Sequence, residues 1–230
     1  MNSALRLDLF APLDFAALAM LFGLWLLIGW RIESERFGIV SVSMIMAEYR
    51  REWMRQMITR DPRIFDAQTI ATLRQGTSFF ASSSMIALGA TLALIGNADS
   101  LVTVAEDLTL VSHPLIVWEI KLLVVVFFLT NAFLKFVWSN RLFGYCSVIM
   151  AAVPNDISDP RCTGMANKAA EVNITATRSF NRGLRSVYFG LASVAWLGGA
   201  ILLMAAAILT LIVIWRREFA SQSRSILLEK

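Results

Sequence analysis

Four apolar runs, each long enough to cross a bilayer, constrain this chain more than any other feature. They cover residues 13–32, 78–95, 115–138 and 187–215. At 1.5 Å of rise per residue, about 20 helical residues match a hydrocarbon core roughly 30 Å thick. Of the 230 residues, 57% are apolar and 17% charged, a balance that soluble domains of this length rarely carry. The expected fold is all-α: a single membrane domain over residues 1–230, an integral bundle of four transmembrane helices. Two cytoplasmic loops, residues 33–77 and 139–186, are expected to carry amphipathic helices.

The loops set the expected orientation. Counted from Arg31, they hold 14 of the 21 Lys and Arg, and a basic excess marks cytoplasmic segments. The first run has its arginines after it and lacks a small-x-small cleavage site, so it reads as an uncleaved anchor with the N-terminus outside. Four spans then return the C-terminus to the outside. In the third run Lys121 and Lys135 lie near the two ends, where each could snorkel to a different interface.

Periodicity fills in the loops. Ile39, Val42, Met46, Tyr49, Trp53 and Met57 recur every three or four residues, with Arg50, Arg51 and Arg55 elsewhere around the helix. This predicts an amphipathic helix along the cytoplasmic interface, with Trp53 toward lipid or the bundle. Asp61-Pro62 reads as an N-cap followed by proline at the first helical position, opening a short helix over residues 63–74. Small residues Ser83, Ala87, Ala90 and Thr91 on the second span, and Ala192, Ala195, Gly199 and Ala206 on the fourth, offer faces for close helix approach.

Several chemistries are disfavoured by count. One histidine, His113, excludes an internal bis-histidine haem, and Cys146 and Cys162 match no zinc or iron–sulfur spacing, so they read as free thiols. No catalytic residues, cofactor or metal are expected, since no nucleophile with a base and no mid-span carboxylate stands out. Nucleic acid is not an expected partner. In a membrane protein the net charge of +4 is loop charge.

Five motifs carry a resemblance. Arg60-Asp61-Pro62-Arg63-Ile64, Ser78-Phe79-Phe80-Ala81-Ser82, Lys135-Phe136-Val137-Trp138-Ser139-Asn140-Arg141, Phe180-Asn181-Arg182-Gly183-Leu184-Arg185 and Arg216-Arg217-Glu218-Phe219 together resemble domain of unknown function 599. Asn140 and Ser186-Val187 depart from its pattern. The resemblance implies a four-helix membrane protein, mostly bacterial, with no established activity and no catalytic residues to transfer.

Basic residues are the one concentrated signal. Arg178, Arg182 and Arg185 share a helix face before the fourth span. They fit either an ordinary positive-inside flank or a pocket for an anionic lipid headgroup or a partner's carboxylates, shared with Lys135 or Arg141. Asn131 is the deepest polar residue of the third span, and an unpaired amide facing lipid costs a few kcal/mol, so its side is expected to face the bundle and bond across it. Two classes of function remain: an accessory component packing with membrane lipids, another membrane protein or itself, and a small-solute carrier or channel.

Overall fold

Among the described residues, helix breakers and caps set off seven α-helices. The computed structural model describes residues 9–34, 38–97 and 114–229, and its regular elements there are helical. They are α1 (Pro12–Glu33), α2 (Val42–Met57), α3 (Ile64–Gly96), α4 (Leu115–Ala151), α5 (Arg161–Val194), α6 (Ala200–Phe219) and α7 (Gln222–Leu228). The acidic outer loop and His113 lie outside the described residues.

Pro12 opens α1 at a position where a missing N–H costs nothing, and Asp14 accepts the N–H of Ala11 at 3.1 Å. Ser41 caps α2 by accepting the Met44 N–H, while its own hydroxyl donates to the Ile32 carbonyl at 2.8 Å and ties α2 to the end of α1. The separate helix expected over residues 63–74 is instead the first part of α3, which runs unbroken for 33 residues. Its start is Ile64, two residues beyond the expected proline, and the Asp61–Pro62 peptide is cis. Within α3 the hydroxyls of Thr77, Ser84 and Thr91 donate to carbonyls one turn back, so polar side chains sit in an apolar helix without outside partners.

The helices α1, α3, α4 and the one beginning at Ala200 are long and apolar enough to cross a membrane. The fourth run, however, is not one helix over residues 187–215. α5 ends at Val194, a single turn of 3-10 helix spans Ala195–Gly198, and the chain reverses at Gly199 into α6. Gly199 has φ = 115°, in the region that side chains other than glycine rarely enter. What the sequence suggests as a small residue on a packing face is the reversal itself.

α5 therefore runs the length of α4 in the opposite direction. Cys146 meets Ala169, Ser139 donates to the Ala176 carbonyl at 2.7 Å, and Ser179 donates to that of Lys135 at 2.9 Å. Further along, Phe128 stacks on Phe189, and Lys121 lies 5.9 Å from the Trp196 ring. The seam repeats every seven residues: Trp118, Val125, Ala132, Ser139 and Cys146 on α4 are buried, as are Ala169, Ala176, Gly183 and Gly190 on α5. Small residues on one side admit rings from the other. A Cβ on Gly183 would stand 2.7 Å from the Phe136 ring.

The reversal at Gly199 also sets where α6 ends. The Trp196 indole donates to Asp14 at 2.7 Å, placing the α5–α6 reversal beside the start of α1. At the other end of α1, Arg31 lies over the Phe219 ring at 4.5 Å, and Arg224 donates to the Val40 carbonyl at 3.0 Å. The start of α1 and the end of α6 are thus at opposite ends of the bundle.

Three other expectations need correcting. Lys121 does not snorkel: it is 5% exposed and lies 4.9 Å from the Trp118 ring. The small-residue faces of the second and fourth spans do not meet, because α3 packs chiefly along α4 through Thr77, Ser84 and Thr91, while α6 packs on α1. On α2 Trp53 faces the bundle, one of its two expected directions, its indole donating to Asp66 of α3 at 2.7 Å, but the buried positions are Ala47, Met54 and Met57, and Tyr49 of the expected stripe is exposed. Between α4 and α5 the turn is held by Asp159, whose carboxyl is brought down to about 2 by hydrogen bonds from the Arg161 side chain and backbone.

Candidate anionic-ligand cleft at the basic end of the bundle

Antiparallel pairing of α4 with α5 places residue 135 level with residue 179, and so brings the two basic stretches of the sequence together. The end of α1 lies against the same level. A cleft of about 570 Å³ opens between these three helices. Lys135 and Asn131 of α4 line it, with Arg182 and Arg185 of α5 and Glu33 of α1. Trp25, Leu26 and Trp30 form its apolar wall, and Leu26 and Trp30 are themselves exposed on the outside of the bundle.

Glu33 organises the charges. Arg182 grips both of its carboxylate oxygens, one through Nε at 2.9 Å and the other through Nη2, while Arg185 donates to Oε1 at 2.6 Å. Arg185 is the buried member, with 7% of its side chain exposed against 47% for Arg182. A guanidinium in that position needs a carboxylate, since breaking a buried pair costs about 3–5 kcal/mol. Glu33 is thereby committed, and among the described residues no carboxylate pairs with Lys135. Asn131 forms the floor, its Oδ1 accepting the Ser186 hydroxyl at 3.0 Å across the α4–α5 seam.

The five basic residues singled out in the sequence do not form one site. Lys135, Arg182 and Arg185 share the cleft. Arg178 is exposed and faces a smaller space of about 30 Å³ on the α2 side, where Arg50 donates to Asn173 at 2.6 Å. Burial pulls the Arg50 guanidinium below its ordinary value, and its partner there is a neutral amide. Arg141 lies on the far side of α4, in a separate cleft with Arg74. Sequence reasoning missed Glu33, although an acid closing the first apolar run beside Arg31 was a signal that the run ends at a charge pair.

The model of the family described as a protein of unknown function, DUF599, matches residues 16–223. The chain belongs to that family. No curated protein and no solved structure matches it. The DUF599 match covers every residue that lines the cleft, so the cleft belongs to the part of the chain that the family defines.

Proposed function

We propose that this DUF599 protein crosses a bacterial inner membrane five times, with its basic end in the cytoplasm. Its cleft between α1, α4 and α5 binds the headgroup of an anionic lipid. The role is binding and accessory rather than catalytic. In support of the orientation, five crossings put Arg216, Arg217 and Arg224 on the same face as the two basic loops.

The observation that carries the binding reading is the pairing pattern. Glu33 satisfies Arg182 and Arg185, which leaves the Lys135 ammonium as a cation facing a cleft with an apolar wall open to the outside of the bundle. An amphiphile fits such a cleft, with its acyl chain along Leu26 and Trp30 and its anionic group against Lys135 and Arg182. The groups present hold charge and donate hydrogen bonds, and the one carboxylate is engaged by two guanidiniums, so the chemistry suits retention of an anion better than proton transfer. Beyond Asn131 the rings of Phe22, Trp25, Phe127 and Phe128 pack at centroid distances of 5.3–6.4 Å, which favours binding over passage of a solute.

Lys135→Met tests this. Extracted from native membranes in polymer-bounded lipid discs, the variant should retain a smaller ratio of anionic to zwitterionic lipid than the unaltered protein, at unchanged thermal stability. An unchanged ratio would overturn the reading.

A further inference from the structure

Arg141 has a setting of its own. Between α3 and α4, on the side of α4 away from Glu33, lies a second cleft of about 720 Å³ lined by Arg74, Ser78 and Ser82 of α3 and by Arg141 and Tyr145 of α4. Its charge pattern differs from the first. Among the described residues no carboxylate pairs with Arg74 or Arg141.

The hydrogen bonds in this cleft leave donors free. The Asn140 amide donates to the Arg74 carbonyl at 3.2 Å and to the Ser78 hydroxyl, pinning α3 to α4 at this level. Arg141 Nε donates to the Tyr145 hydroxyl at 2.7 Å. Ser78 and Tyr145 are acceptors in these bonds, so each keeps its O–H to donate elsewhere. The Arg74 guanidinium lies across Gly144, 3.9 Å from where a Cβ would stand. Two guanidinium forks and two hydroxyl donors thus line one cleft, a set that matches the several free oxygens of a phosphate.

Position selects the source of that phosphate. Along α4 the cleft runs from Val137 to Val148 and so includes the level of Trp138, which is 47% exposed, and interfacial tryptophans mark the headgroup level. Val137 and Val148 at its rim are exposed, and α3 has α4 as its main neighbour, so the cleft opens to the outer surface of the bundle. We propose that this second cleft binds the phosphomonoester headgroup of an anionic lipid, whose two negative charges match Arg74 and Arg141. It acts independently of the cleft at Glu33.

Native mass spectrometry of the full chain released from micelles would test the proposal, with dioctanoyl phosphatidic acid as the probe. In the Lys135→Met background, where the first cleft is impaired, adding Arg74→Gln and Arg141→Gln should weaken the remaining adduct by about tenfold or more. Dioctanoyl phosphatidylglycerol, a phosphodiester, should bind more weakly than phosphatidic acid, and inorganic phosphate at equal concentration should not displace the lipid. Unchanged affinity in the glutamine variants would overturn the proposal. Displacement by inorganic phosphate would replace the lipid with a soluble phosphate, and loss of a co-purifying protein at unchanged lipid affinity would replace it with a partner's carboxylates. If the glutamine variants fail to fold, Arg74→Lys with Arg141→Lys decides. Lysine keeps the charge and loses the fork, so weaker binding supports the site and equal binding overturns it. An adduct unaffected by Lys135→Met but lost with the arginines would sink the first cleft and leave the second standing.

Discussion

α3 and α5 are nearly equal in length, 33 and 34 residues, yet they relate to their surroundings in opposite ways. α3 is apolar and exposes Phe79, Met85, Ile86, Leu92 and Leu94, packing along α4 by one narrow stripe. α5 is polar, yet it buries Asn173, Ser179, Arg185, Ser186 and Ser193 beside its alanines and glycines, against α4 on one side and α1, α2 and α6 on others. Hydropathy reports contact with lipid. A helix enclosed by other helices is free to carry hydroxyls, amides and even a guanidinium, provided each finds a partner.

The most damaging way to break this contrast is to remove the partner of the enclosed charge. Glu33→Ala leaves Arg185 buried without its carboxylate and should cost about 3–5 kcal/mol, read as reduced resistance to chemical unfolding in mixed micelles. A cost below about 1 kcal/mol would mean that Arg185 is solvated, and the enclosure of α5 would be lost from the account.

Adding a side chain to each helix sharpens the contrast. Gly183→Val on α5 drives new atoms into Phe136 and should cost about 1–3 kcal/mol, whereas Gly89→Val on α3 meets nothing within 4 Å and should stay within about 0.5 kcal/mol of neutral. Equal effects at the two positions would contradict the packing described. The smallest effect is expected from Ser186→Ala, which removes the donor to Asn131. Membrane hydrogen bonds average about 0.6 kcal/mol, so the melting temperature should fall only slightly.

The same contrast explains what could be read from the sequence. α1, α3 and α4 were legible because lipid-facing side chains make long apolar runs, and the α2 stripe was legible because its period survives between arginines. α5 was not legible as a helix running the length of α4, since Arg182, Arg185 and Asn181 read as loop polarity when their partners are unknown. Its upper end, residues 187–194, merged with α6 into one apolar run, and the reversal rests on Gly198-Gly199 alone. A signal was present in the seven-residue repeat of Ala169, Ala176, Gly183 and Gly190, which matches a close-packed seam better than a charged loop helix. The cleft was half legible for a similar reason. Arg182 and Arg185 were expected to share a pocket with Lys135 or Arg141, and Asn131 to bond across the bundle, but Glu33 emerges only once α1 is placed against α5, and Arg141 faces away on the other side of its own helix.

The direction in which the chain leaves the membrane tests the extra traverse most directly. Single cysteines at Ser3 and Glu229 can be probed with an impermeant thiol reagent in intact and permeabilised cells, with the native Cys146 and Cys162 buried. Five crossings with the basic end inside predict that the cysteine at position 3 is labelled in intact cells and that at 229 only after permeabilisation. Labelling of both in intact cells would restore an even number of crossings and contradict the placement of α5.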